Sequence, residues 1–368
     1  MQRRDFIKTV AGAGMCSMLC SSCSFLPDNI DKKVIGSKFI YKSEIDLPRR
    51  IKLDACSLCQ LNCPACWVRL DEEHIRKEEG FGSLKFKNFK KLVDKNPQIE
   101  EIELSNSGEI FLNPELVKIM KYAYENLITL TANNGVNLNT LSDEMAEALV
   151  KYQFSAMTVS IDGATPDVYK IYRRGGDFNK VIANIKKINE YKKKYNSEYP
   201  EMTYKFIIFN HNIEDIPLAK KLAKELNMNI KFDKNCRPWY APLSAEQKIR
   251  AEKLLGSALE SKSEKQLLNE YRNGKSNWFF CEDLFVNPQI NWNGNLFGCC
   301  MYLGKNFGVN VFKDGLLKAL NHQNVLYAKQ MVTDFSTPPK ENILCSDCFV
   351  YKAIKEEKYE MYSDRKII

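Results

Sequence analysis

The 368-residue sequence has no apolar run long enough to cross a bilayer: the small-residue, apolar stretch from Thr9 to Cys20 falls short of the about 20 residues a transmembrane helix needs. No stable transmembrane span is expected. Low-complexity tracts and internal repeats are also missing, which leaves an ordinary folded body. The net charge of +8 sits mostly on lysines of helix-like stretches such as Lys186 to Lys194, without the interleaved aromatics on which single-stranded nucleic acid stacks. It reads as solvated helix faces, and no nucleic-acid partner is expected. At about 100 to 200 residues per domain, the length implies two domains plus extras.

What the chain has in plenty is cysteine. Its 13 cysteines are clustered: Cys16, Cys20 and Cys23 near the start, four from Cys56 to Cys66, five from Cys281 to Cys348, and Cys236 alone. Disulfide frameworks belong to small secreted domains with poor cores, whereas short-gap cysteines in a long enzyme-like chain bind metal. The tightest set is Cys59-Gln60-Leu61-Asn62-Cys63-Pro64-Ala65-Cys66-Trp67, just after the strand candidate Ile51 to Asp54. A cubane iron–sulfur cluster takes four cysteines. Three leave one iron open, as catalytic metal sites do to admit a substrate. A zinc knuckle completed by His74 is the bland alternative.

Ahead of this loop, Arg3-Arg4 precedes Phe6-Ile7 and the apolar run, which reads as a Tat export signal over residues 1–26. Cys20 and Cys23 fit a lipoprotein signal poorly. Residues 27–48 read as a connector too short to fold independently, so no peptide-recognition domain is expected there. Export to the cell envelope is expected from the signal, an expectation that fractionation of cells carrying Arg3→Lys and Arg4→Lys tests.

From Arg50 to Asp233, short β-branched runs alternate with amphipathic helical patterns, the signature of β/α units on a parallel sheet. Six strands are expected: Ile51–Asp54, Glu100–Leu104, Leu127–Thr131, Ala156–Ile161, Tyr204–Phe209 and Asn229–Asp233. The second helix is expected to be capped by Asn113 with Pro114 in its first turn; the fourth starts at Asp177 and carries Val181, Ile185 and Ile188 inward. Barrels of this kind place their active sites at the C-terminal strand ends, and every polar motif falls there. After the second strand comes Ser107-Gly108-Glu109, and after the third Asn133-Asn134-Gly135. Ser160 and Asp162 stand on one face of the fourth strand end by the period-two rule and suit a ribose. Arg173 and Asn210 follow the fourth and fifth.

The three-cysteine loop resembles the signature of the radical S-adenosylmethionine (radical SAM) enzymes, in which SAM chelates the open iron of a 4Fe-4S cluster held here by Cys59, Cys63 and Cys66. Ser107, Gly108 and Glu109 resemble the family's Gly-Gly-Glu-Pro motif, with Ile110 in place of the proline; the resemblance implies contact with the SAM methionine. Asn133-Asn134-Gly135 resembles its Thr-Asn-Gly turn. The segment Tyr169 to Gly176 resembles its Tyr-x-x-x-Arg-x-Gly segment, which implies that Arg173 pairs with the SAM carboxylate, and Asn210 matches an adenine-side residue. Ala65 stands where the family usually has an aromatic beside the adenine. The resemblance implies one-electron cleavage of SAM to a 5'-deoxyadenosyl radical that takes hydrogen from the substrate, with an electron donor such as flavodoxin or ferredoxin. SAM is cytosolic, so a cytoplasmic location is the alternative to export.

Further on, a charged helical bridge opens with the capping-box pattern Ser244 to Gln247. Then come Cys281, Cys299-Cys300 and Cys345-x-x-Cys348. Between them Ile290 to Leu296 reads as a β-hairpin with Asn-Gly at its turn, bringing Cys281 and Cys299 together. Four thiolates complete a second site, with structural zinc as the alternative to iron. This part resembles the auxiliary-cluster domains called SPASM and its shortened twitch form, which implies a second 4Fe-4S cluster on Cys281, Cys299, Cys345 and Cys348, with Cys299 preferred over Cys300 by the Gly-x4-Cys spacing. The expected fold is α/β: a partial (β/α)6 TIM-like barrel over 49–235, then a small α+β auxiliary-cluster domain over 236–368. The expected function is a radical SAM oxidoreductase acting on a peptide or protein side chain. A twitch-type dehydrogenase of a small molecule, or an exported iron–sulfur electron-transfer or binding protein that does not cleave SAM, are the alternatives.

Overall fold

A computed structural model describes residues 41, 43, 46–66, 69, 76, 80–235, 237, 239–259, 281, 283–299, 306–334, 336–348 and 351–352. The expected signal segment, most of the connector, Trp67, His74, Cys236 and Cys300 lie outside the described residues. Among those described, no helix is long and apolar enough to cross a membrane.

Six strands follow one another with helices between them: β1 (Arg50–Leu53), β2 (Glu101–Glu103), β3 (Thr129–Val136), β4 (Ala156–Ser160), β5 (Glu201–Ile208) and β6 (Asn229–Lys234). The helices are α1 (Phe86–Lys95), α2 (Leu116–Glu125), α3 (Asp143–Lys151), α4 (Pro166–Tyr172), α5 (Phe178–Tyr195) and α6 (Ile216–Glu225). Every strand pair is parallel. Alternate residues of β1 to β5 face the helices and are apolar and buried, among them Ile51, Leu53, Ile102, Leu130, Met157, Val159, Tyr204 and Phe206, while Ile230 and Phe232 of β6 are partly buried. That single apolar face is what the helices cover, and it fixes the register, because a one-residue slip would turn it to water.

Four details depart from expectation. Strand β3 runs on to Val136, so Asn133-Asn134-Gly135 is irregular strand and not a free turn; its extension is held by side chains, since Asn133 N donates to Glu103 Oε2 (2.8 Å) and Gly135 N to Ser105 Oγ (3.2 Å). Asn113 does not cap α2, which begins at Leu116. Its buried amide instead donates to the carbonyls of Ala55 (2.9 Å) and Leu84 (3.0 Å). Helix α4 is additional, and Thr165 caps it by accepting from Val168 N, with Pro166 in its first turn. Asp177 caps α5 as expected, and Val181, Ile185 and Ile188 lie on its buried face.

Beyond β6, α7 (Ala245–Leu255) carries the expected capping box between Ser244 and Gln247. After α8 (Asp283–Val286) comes the fourth departure: β7 (Gln289–Ile290) adds a seventh strand, pairing in parallel with β1 so that the sheet runs β6-β5-β4-β3-β2-β1-β7. The turn after β7 is the expected hairpin, closed by an Ile290–Leu296 bridge and by Gly294 at φ +94°. Helices α9 (Val311–Asp314), α10 (Leu316–Leu320) and α11 (Gln323–Thr333) complete the described C-terminal part. Tyr41 docks on it, exchanging hydrogen bonds with the Asn321 amide at 2.9 and 2.8 Å and donating to Phe285 O at 2.7 Å.

Candidate active site

The cysteine loop leaves the C-terminal end of β1 and is braced from both sides. Ala55 N donates to Leu104 O at the end of β2 (3.0 Å), and Leu84 N to Ala55 O (2.9 Å). Past the first cysteine, Arg69 curls the loop: its guanidinium donates to Cys59 O (2.7 Å) and Leu61 O (3.1 Å). Burial pushes the Cys59 thiol up to about 12, and it also raises Cys63, against the pull of Arg173. Thiolate at neutral pH must then come from a strongly electropositive ligand, which iron is.

Ser107, Gly108 and Glu109 meet this loop directly. Gly108 has φ +65°, and a Cβ there would stand 2.4 Å from Cys56 O and 2.6 Å from Leu58 O, so only glycine lets the two backbones touch. Glu109 N donates to Leu58 O (2.7 Å). The Glu109 carboxylate is buried and accepts from Asn137 N (2.5 Å) and Phe111 N (3.3 Å). Burial raises it to about 7 against those bonds and the nearby charge of Arg173. Ser107 N is anchored on Asp54 Oδ1 (2.9 Å), while Ser107 Oγ is buried without a partner.

Arg173 ends α4 with its guanidinium against the loop. Nη1 lies 3.7 Å from Cys63 Sγ, Nη2 is ion-paired with Asp162, and Nε is buried without a hydrogen-bond partner. Burial works against its charge, but Asp162 first and Cys63 second hold it protonated. Asp162 has left the strand pattern: β4 ends at Ser160, and Asp162 sits at φ +57° with its other oxygen accepting from Ile207 N (2.7 Å). Ser160 and Asp162 therefore do not form the expected pair on one strand face. Ser160 Oγ faces Gly135, whereas Asp162 supports Arg173.

Asn210 is exposed and only its backbone is engaged, through Ala241 O and the Gln247 side chain; the structure does not bring its amide to the loop. The buried residue at this strand end is Asn212, whose amide donates to Asp162 O (3.0 Å) and Ile207 O (2.8 Å) and accepts from Phe209 N (2.8 Å). Next to Ala65, where an aromatic was missed, an aromatic group comes from elsewhere in the chain. Tyr172 lies 4.5 Å from Phe209 and 5.5 Å from Tyr240 between ring centroids, and all pack against Leu61, Cys63 and Ala65.

Two further residues escaped sequence reasoning. Asn137 exchanges hydrogen bonds with Gln60 (2.7 Å), holds Glu109 and sets its amide 3.7 Å from Cys59 Sγ. Asn139 ties the Tyr169 hydroxyl (3.0 Å) to Asp177 N (2.7 Å). Their Asn-x-Asn spacing just past β3 was the available signal.

The sheet face away from the helices is mostly polar, with Ala156 and Ile207 as apolar members. Across the strands it carries Gln289, Lys52, Glu103, Thr131, Thr158, Thr203, Lys205, Lys231 and Asp233. Glu103 alone accepts from Ser105 N, Ser105 Oγ, Thr131 Oγ1 and Asn133 N. A closed barrel fills this space with apolar side chains; here it is a hydrogen-bonding trough.

The second cysteine set also assembles. Phe297 N and Gly298 N donate back to Gln289 O (2.9 and 3.2 Å), carrying Cys299 toward Cys281, while Cys345 and Cys348 come from the turn packed on α11. Burial raises the Cys281 thiol, with Cys299 and Cys348 raising it further; Cys345 is raised likewise by burial and then by Cys281, Cys299 and Cys348.

Among the described residues no three His, Cys, Asp or Glu side chains converge on one metal ion. In a cubane each thiolate binds its own iron, so its ligands need not meet at one point. With the unpartnered Ser107 Oγ and Arg173 Nε beside the loop, the residues fit a cluster and a polar ligand. A parallel β/α half-barrel with a buried three-thiolate loop at its strand ends is the class of an iron–sulfur enzyme. Residues 56–222 match the family described as Radical SAM superfamily, so this part of the chain is a radical SAM enzyme domain, of the kind that uses SAM and a 4Fe-4S cluster. No curated protein sequence matches the chain. Among solved structures it is similar to Streptococcus suis SuiB bound to S-adenosylmethionine (15% identity, 83% of this chain and 72% of that one, TM-score 0.60). It is also similar to SuiB bound to precursor peptide SuiA (14%, 83% and 71%, TM-score 0.58). The tagged anSMEcpe with bound AdoMet follows at 17%, 83% and 84%, with TM-score 0.53. At these identities the likeness is one of fold.

Proposed function

We propose that this enzyme removes a hydrogen atom from a peptide or protein side chain, as a maturase. When bound, the cluster and SAM supply the one-electron cleavage that generates the hydrogen-abstracting radical. Cys59, Cys63 and Cys66 hold the cluster; Glu109 and Ser107 face the SAM methionine, and Arg173 its carboxylate. Tyr172, Phe209 and Tyr240 replace the aromatic that Ala65 lacks, giving the adenine an apolar wall. Cys281, Cys299, Cys345 and Cys348 would hold a second 4Fe-4S cluster in the 236–368 domain, able to take up the electron given by the substrate radical, while a flavodoxin- or ferredoxin-like donor would supply the electron for SAM cleavage at the first.

The observation that carries the substrate class is the polar trough. A peptide brings an amide donor and acceptor at every residue, and each must find a partner once it leaves water. Threonine, lysine and aspartate side chains across β4, β5 and β6 supply them. The fold shared with a peptide-bound SuiB supports the same reading.

Anaerobic reconstitution with SAM and dithionite tests it. The wild-type chain is expected to release 5'-deoxyadenosine, and Cys59→Ala/Cys63→Ala/Cys66→Ala is not. With peptides encoded beside the gene, turnover is expected to rise and the peptide to change mass. Turnover stimulated by a small alcohol and by no peptide would reverse the substrate assignment.

A further inference from the structure

Trp292, in the hairpin turn after β7, reaches out of the C-terminal part and lies against the segment Gly80 to Gly82. A Cβ on Gly82 would stand 2.5, 2.7 and 2.8 Å from three carbons of the indole, so only a hydrogen fits beneath the ring. Trp292 Nε1 donates to Gly80 O (3.3 Å). The same carbonyl accepts from Ser57 Oγ (3.2 Å), and Ser57 Oγ in turn accepts from Gly82 N (3.0 Å) while Ser57 N donates to Gly82 O (3.0 Å). Cys56 and Ser83 form the next rung. Ser57 is buried and stands two residues before Cys59. The indole, the glycine segment and the root of the cysteine loop are thus one hydrogen-bonded stack, and the ring is its outer wall.

We infer that Trp292 is a positioning residue for the SAM-binding cluster: it presses the Gly80 to Gly82 segment onto Ser57 and so fixes where Cys59 presents its thiolate. The inference rests on the reading of that loop as the SAM site. It makes the hairpin of the second cysteine set a structural part of the first. Removing the ring leaves all three cysteines in place, so the cluster still assembles, but its first ligand is no longer aimed.

The test uses the full chain, reconstituted anaerobically, with SAM affinity and the EPR spectrum of the dithionite-reduced clusters as readouts. Trp292→Ala is expected to weaken SAM binding about 10-fold, the usual cost of losing an outer-shell support, and to blunt the SAM-induced change in the EPR signal, with iron content unchanged. Gly82→Ala is expected to do the same by pushing the ring away. In the double variant the new methyl enters the space the indole has left, so the loss is no greater than in Trp292→Ala alone. Trp292→Phe keeps most of the ring and deletes the N–H, for a loss of about 3-fold, the net worth of one hydrogen bond; it carries the test if Trp292→Ala does not fold. Wild-type affinity and EPR response in these variants, or additive losses in the double variant, overturn the inference alone. A wild-type chain without any SAM-dependent signal overturns the reading of the loop, and this inference with it.

Discussion

Arg173 meets a carboxylate, a thiol and the Tyr172 ring at once, with Cζ 5.1 Å from the ring centroid. Arg173→Gln keeps hydrogen-bonding capacity but leaves the fully buried Asp162 without its counter-charge. Removing one partner of a buried pair costs about 3–5 kcal/mol, so chemical denaturation is expected to show a loss of that order, together with weaker SAM binding. A loss under about 1 kcal/mol, the scale of an exposed pair, would mean that Asp162 finds another partner. At this scale the three cysteines stand out by their spacing, and Gly108, Glu109 and Arg173 only by the resemblance of their segments; the structure gathers all six at one loop. Asn137, Asn139 and Asn212 stand out by neither. Asparagine serves turns, caps and buried networks alike, and Asn212 differs from the exposed Asn210 only in which residue of the loop turns inward.

Among the elements, β1 to β6 were readable because each is a β-branched run with one apolar face. Strand β7 was not, since two residues carry no period and their partner lies far back in the sequence. Helix α4 did announce itself, through Thr165-Pro166-Asp167, and its cap-and-proline pattern was overshadowed by the arginines that follow. The element that can be tested by metal content is the turn bearing Cys345 and Cys348. Replacing both by alanine is expected to lower iron from about eight to about four atoms per chain, one cubane's worth, while the broad visible absorbance of the remaining cluster persists. Recovery of zinc from the wild-type chain at this site would defeat the second-cluster assignment.

Taken as a whole, the molecule buries a cation deep in its C-terminal part with no ion pair among the described residues. Lys329 on α11 is 2% exposed, donates to Tyr41 Oη (3.2 Å) and lies 4.3 Å from the centre of that ring. Burial lowers it to about 7. Between that value and the lysine's ordinary one the unfolded chain binds the extra proton, so this group makes stability rise as pH rises through the window and fall as pH returns toward 7. Lys329→Met is expected to raise the melting temperature at pH 7 by a few degrees and to flatten the slope above it. Melting curves across pH 7 to about 10, spanning the shift toward lysine's ordinary range, check both; an unchanged slope would place the proton elsewhere.

The pairing of β1 with β7 also has a consequence in time. Asp54 and Gln289, joined across it, are 235 residues apart in the chain. Contacts of such separation form late, after the entropy of closing the intervening chain has been met. A nascent chain leaving the ribosome therefore has its cysteine loop made early but without its β7 partner until that segment follows, so iron delivered in the interval would meet a less supported loop. The loop's last backbone support is in that sense set by topology to arrive late.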